Sequence, residues 1–373
     1  MSNLYALDET LDMLNGTNYT SFEGLAEAVL IESRDFCSFI ESQNIILEKI
    51  DFSKIKEKAK QAWERIKAKI KALVAKIEYW VKEAINITKR SKDMLKLLPS
   101  KVTVQSAVNV CKNMSIFGIK NIKDLKNPDS AINSIKIDDV IKRAQDKHIK
   151  VKVLDDSIIS ENMENVADFI KYCDKYASDI SYYCDEFERL TKNYFKTYGG
   201  YEKSDKLRLS KYDLPKLELD QYDIAKGKIE SDKIPETFLV EKEFSSIDVE
   251  DYIDETEDYI ETYIEIVGLR SKSTSIINKI NMLVKSGDDI MNKISSELHA
   301  GEDDPTYRLN MFLKHCSELI SSISDHLVIV SKYEAYYKKL YKESIESVTV
   351  IMNIIVKEAI QYTAEVKAKE TNK

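Results

Sequence analysis

Ten cationic side chains recur on the polar side of one stretch of this sequence: Lys54, Lys56, Lys58, Lys60, Arg65, Lys67, Lys69, Lys71, Lys76 and Lys82. Clustered cations attract polyanions, whereas the same charges scattered over a surface do not. Lysine dominates the set. A compact, hydrated point charge suits backbone phosphates better than planar, base-specific recognition. Both tryptophans of the chain, Trp63 and Trp80, lie in the same stretch. Three readings stay open at this point. The face is a solvated surface over a buried stripe, or it binds DNA or RNA backbone in a salt-dependent way, or it lies on an anionic membrane with the indoles as interface aromatics.

Other chemistry finds little support. The histidines are His148, His299, His315 and His326, and the two that share a helix face, His315 and His326, are three turns apart, too far to hold one metal ion. No GxSxG elbow, P-loop or GxGxxG occurs. Nine glycines leave little for a phosphate-cradling loop. The carboxylates of Glu250–Tyr263 lack the loop glycine of a calcium-binding EF-hand, and Ile253, Ile260, Ile264 and Val267 make them the solvated face of a helix. The tyrosine clusters (Tyr172, Tyr176, Tyr182, Tyr183; Tyr333, Tyr336, Tyr337, Tyr341) read as helix packing rather than base stacking. No catalytic residue, metal site, cofactor or small-molecule substrate is expected, and the chain reads as a non-enzyme.

The charge is sorted along the chain. Residues 1–50 carry 9 acids and 2 bases, residues 51–152 carry 11 acids and 25 bases, and residues 153–373 carry 44 acids and 29 bases, so the overall −8 conceals a strongly basic middle. Gly (9) and Pro (5) are scarce for 373 residues, which favours long helices over a many-stranded sheet. Five cysteines, Cys37, Cys111, Cys173, Cys184 and Cys316, are odd in number and contain no CxxC, as free thiols in a reducing compartment do. The acidic N-terminus does not read as a secretory signal, and the longest uncharged apolar run, Val348–Val356, is too short to cross a bilayer.

The elements follow from periodicity. Leu4, Leu7, Leu11 and Leu14 predict a short acidic helix over 3–15, and Ser21 caps a second acidic helix to about Ile50. Ile55, Ala59, Trp63, Ile66, Ile70, Leu73, Ile77, Val81 and Ala84 recur at a mean step near 3.6, which predicts an amphipathic helix through 51–99, ended by Pro99. Residues 100–160 read as a small α/β insert, with strands at Val102–Val104 and Ile149–Leu154 and a helix near Asp138–Lys147. The segment 161–373 reads as a helical body, with helices at 161–198, 246–298 and 306–369 and a polar connector at 199–242. The expected fold class is mainly α: long helical hairpins or an elongated bundle, coiled-coil-like at its end, with the small α/β insert.

The layout of an acidic segment, then a lysine- and tryptophan-bearing amphipathic helix, then a long charged helical body resembles that of internal head (core) proteins of large tailed bacteriophages, over about residues 1–98. The resemblance implies a structural virion protein, made in the host cytoplasm and packed inside the phage head. Its partners would be packaged DNA or capsid and scaffold proteins. It also implies an acidic propeptide removed after a Glu in a Leu/Ile-x-Glu pattern, which Leu25-Ala26-Glu27 followed by Ala28 fits, as do Leu7-Asp8-Glu9 and Leu30-Ile31-Glu32. The acidic body departs from a uniformly basic DNA-condensing protein and favours a structural or ejected role. The alternatives are a membrane-active helical protein, ejected or pore-forming, and a host-directed binding protein. Oligomers are compatible with each.

An acidic segment beside a basic one masks it electrostatically until removed. A chain beginning at Ala28 lacks Asp8, Glu9, Asp12, Glu23 and Glu27. It is expected to retain DNA more tightly and with a steeper salt dependence than the full chain. Equal affinities and equal slopes across a salt series would refute this switch.

Overall fold

No Gly or Pro interrupts the apolar repeat of the basic stretch, and it forms one helix, α1 (Phe52–Leu95). A computed structural model describes residues 52–114, 135–155, 236–297 and 304–371, together with helical positions scattered between 169 and 185. The predicted helices at 3–15 and 22–50, and most of the connector, lie outside the described residues. The rest of the order is α2 (Val104–Met114), α3 (Ile137–Gln145), β1 (Lys150–Leu154), β2 (Leu239–Glu243), a 3₁₀ turn at Phe244–Ser246, α4 (Val249–Glu297) and α5 (Asp304–Thr371). The fold is mainly α, with 84% of the described residues helical and one small antiparallel two-stranded sheet.

Two expectations need correction. Val102–Val104 is not a strand. Thr103 accepts the Ser106 N–H through Oγ1 at 3.0 Å while Ser106 Oγ accepts the Thr103 N–H at 2.8 Å, a reciprocal cap that starts α2 instead. The connector, in turn, does not stay irregular to 242. Its last residues form β2, which pairs with β1 from Lys150↔Glu243 to Leu154↔Leu239. The predicted α3 and β1 are present close to their expected limits, and His148 turns the chain between them at φ 51.

Local chemistry fixes the long helices. Asp248 Oδ1 accepts the N–H groups of Glu250 and Asp251 at 3.0 and 3.2 Å and so caps the first turn of α4. Pro305 stands in the first turn of α5, where its missing N–H costs nothing, and no Gly or Pro follows to Thr371. Ser331, Ser347, Thr349 and Thr363 bond back to the carbonyl four residues earlier, which lets hydroxyls lie within the packed helix.

Two compact units divide the chain, and each is discontinuous in sequence. Among the described residues, one unit takes 52–83, 269–297, 304–331 and helical positions from 171 to 185. Its core includes Trp63, Ile66, Ile70, Leu73 and Ile77 of α1, Ile276, Ile280 and Leu283 of α4, and Leu319, Ile323 and Leu327 of α5. The other takes 84–114, 135–155, 169–170, 236–268 and 332–371. There the sheet is tied down by its neighbours: the Leu154 N–H donates to the Tyr252 hydroxyl at 3.2 Å, and the Phe238 N–H donates to Glu343 Oε2 at 2.7 Å. Lys147 closes α3 against α5 by donating to the buried Glu358 carboxylate at 2.6 Å and to Gln361 at 2.8 Å, and Arg143 meets Glu365 at 2.8 Å.

His326 is buried on α5, and burial pushes its pKa down from 6.5 to about 3. The unfolded chain therefore binds one more proton than the native one between those values, and stability is lost as pH falls below 6.5. Urea titrations should show the native chain losing about 1.4 kcal/mol per pH unit from this group between about pH 6 and 5. His326→Leu is expected to remove that slope, and an unchanged slope would place the titration elsewhere.

Candidate polyanion interface

One side of α1 must be buried and the other must then face solvent, because the apolar and basic residues alternate at helical period. Ala59, Trp63, Ile66, Ile70, Leu73, Ile77, Trp80 and Ala84 are all in the core. Opposite them Lys58, Lys60, Arg65, Lys71 and Lys82 are exposed, while Lys67, Lys69 and Lys76 are half-buried at the flanks. Lys54 and Lys56 lie in the first turns of the same helix. Candidate processing residues Leu25, Glu27 and Ala28 lie outside the described residues. The ten cations are thus brought onto one continuous helix, and five of them onto its open side.

The tryptophans are not interface aromatics. Trp63 is 1% and Trp80 9% exposed, so neither indole reaches a lipid surface. Their polar edges explain how they are accommodated in the core. Trp63 Nε1 donates to Asp288 Oδ1 of α4 at 2.8 Å, and Lys67 Nζ donates to the same oxygen at 2.9 Å. Seventeen residues further along α1, the buried guanidinium of Arg270 stacks over the Trp80 ring at 4.7 Å and donates to the Trp80 carbonyl at 3.0 Å. The two clips fall in reverse order on α4, so these parts of α1 and α4 run antiparallel, with the clips about 26 Å apart along the axis. Nothing in the local sequence around Trp63 announces a partner 225 positions away.

The electrostatics divide the ridge. Hydrogen bonds to Glu64 and then Asp288 hold the Lys67 ammonium above its ordinary pKa against desolvation. Partial burial opposes ionisation of Asp288, but the bonds from Lys67 and Trp63 overcome it and hold the carboxyl below the usual range. Lys67 is therefore committed to structure. Burial pulls Lys76 below the ordinary lysine value. Lys60, Lys71 and Lys82 are exposed and make no ion pair among the described residues, although the Lys71 charge helps hold the Asp288 carboxyl ionised. Being eleven residues apart, they lie nearly on one line, about 16 Å from one to the next. No group of His, Cys, Asp and Glu able to hold a metal occurs among the described residues, and no helix there is long and apolar enough to cross a membrane. No protein-family model, curated protein or solved structure matches the chain.

Asp288→Ala removes the shared acceptor of Trp63 and Lys67. It is expected to cost about 1.5 kcal/mol, the lower end for a charge-assisted bond because the carboxylate is partly exposed, and to shift Trp emission. Asp288→Asn keeps an acceptor for the indole and should lose less. Equal losses from the two would show that the indole bond contributes nothing.

Proposed function

We propose that this protein is a non-enzymatic structural component of a phage head, packed in the virion interior, where the exposed side of α1 meets packaged DNA or the capsid interior. One observation carries the reading: Lys58, Lys60, Arg65, Lys71 and Lys82 point to solvent along a helix whose other side is fully committed to the core. Two rows on one rigid helix, Lys58 with Arg65 and Lys60 with Lys71 and Lys82, present cations to a phosphate backbone and offer nothing to distinguish one base from another. Affinity would come from counterion release and fall steeply with salt. The layout of the first 98 residues supports the phage setting by resemblance alone, and the rest of the helical body would serve as scaffold. Burial of both indoles takes away the aromatic anchors that a lipid-bound helix uses at the interface.

Replacing Lys58, Arg65, Lys71 and Lys82 together by Gln is expected to weaken DNA retention equally for unrelated sequences. The slope of log affinity against log salt should fall by about 0.9 for each phosphate that the protein no longer neutralises. Flotation with anionic vesicles, without any salt-sensitive retention of DNA, would overturn the reading in favour of lipid. An unchanged slope in the quadruple variant would show that DNA is held elsewhere.

A further inference from the structure

The first half of α4 is the electrostatic opposite of α1. Its inner side, Tyr252, Ile253, Thr256, Tyr259, Ile260, Tyr263, Ile266 and Val267, is buried. Its outer side exposes Glu250, Asp254, Asp258, Glu261 and Glu265, with no Lys or Arg between Val249 and Leu269. None of these five carboxylates has an ion-pair partner among the described residues. Like charges three and four apart on a helix repel one another. Their effect reaches Glu257 beside them, whose pKa is raised first by burial and then by Asp254, Glu261 and Asp258.

Two of the acidic separations equal the repeat on α1. Glu250 and Glu261 are eleven residues apart, as are Asp254 and Glu265, and so are Lys60 and Lys71, and Lys71 and Lys82. Eleven residues make three turns with about 20° to spare, so each set stays on one line with charges about 16 Å apart. Of the acids along the α1 line, Glu64 is held by Lys67, while Glu78, four residues before Lys82, is exposed and lessens the positive charge at that end. Two helical faces of opposite sign and equal charge spacing are complementary over one such interval, which either Lys60 with Lys71 or Lys71 with Lys82 can supply.

We infer that the acidic face of α4 docks the Lys60–Lys71–Lys82 line of α1 on a second copy of this chain. The contact is heterologous, joining unlike patches, so a joined pair keeps one face of each kind for further copies. Surface ion pairs are individually weak, and several in register are needed to hold two copies together. The association is therefore strong only at low ionic strength. The proposed nucleic-acid contact draws on the same α1 side, so the two occupants compete for it, but this inference does not rest on that reading.

The experiment is sedimentation of the full chain without nucleic acid. At about 0.02 M salt the mass average should rise with concentration to about twice the 43.0 kDa monomer or more, and at about 0.5 M it should return to the monomer. A variant with Asp258→Lys, Glu261→Lys and Glu265→Lys, and another with Lys60→Glu, Lys71→Glu and Lys82→Glu, should each stay monomeric at low salt. An equimolar mixture of the two should associate, because each now supplies the face that the other has lost. Helicity by circular dichroism checks that both fold, and the corresponding Gln variants, which should also stay monomeric, guard against new contacts made by the reversed charges. A wild-type chain that is monomeric at low salt, or a mixture of folded variants that does not associate, overturns the inference. DNA retention by the α4 Gln variant reports separately on the polyanion reading, since that variant keeps α1 intact and adds no cation.

Discussion

The burial of one side of α1 is the constraint from which the rest follows. An apolar residue every three or four positions cannot be hidden by a lone helix, so α1 must lie against other elements. Once Ile66, Ile70, Leu73 and Ile77 are in the core, the lysines between them have only the outer side available. The cationic ridge is thus a consequence of packing, held in place by the same residues that stabilise the fold. Leu and Ile side chains each contribute about 2 kcal/mol or more on full burial, so the orientation of α1 about its own axis is fixed many times over.

Polar groups then refine what burial decides. Trp63 and Trp80 each bring an apolar body into the core, and Asp288 and Arg270 meet their polar parts from α4. Such groups give direction, which apolar packing alone does not, and they select one antiparallel alignment of the two helices among neighbouring ones. In the other unit, Glu343 and Glu358 play a comparable part. One accepts from the backbone of the strand region at Phe238, and the other from Lys147 beyond α3, so two carboxylates of α5 anchor segments that are distant in sequence.

Much of this is legible from the sequence because it is periodic. The helix through 51–99, the short helix near Asp138–Lys147, the strand at Ile149–Leu154 and the helices after 246 all follow from local pattern and from the scarcity of Gly and Pro. What pattern does not supply is a partner. β2 resembles the end of a polar connector because Leu239-Val-Glu-Lys-Glu243 carries only two apolar residues, and it becomes a strand through pairing with β1, some 85 residues away. Val102–Val104 alternates like a strand, yet Thr103 and Ser106 cap a helix, a signal obscured because Ser stands where Glu or Gln is usual. The indoles mislead for a related reason. Trp on a lysine-rich helix suggests an interface, and only the distant Asp288 and Arg270 reveal a core that accommodates their polar edges.

The interleaving of the two units has a consequence for how the chain is made. Both units draw on α1, on α4 and on α5, and the final portion of each is supplied by α5. A chain emerging from the ribosome at about 5–20 residues per second therefore holds α1 for many seconds before its covering helices are available. During that interval the apolar stripe is open to solvent, and the lysines beside it favour solubility while it waits. Synthesis and folding are thereby separated in time: neither half can reach its native packing until the last helix is free, and the two should mature late and nearly together rather than in order along the chain.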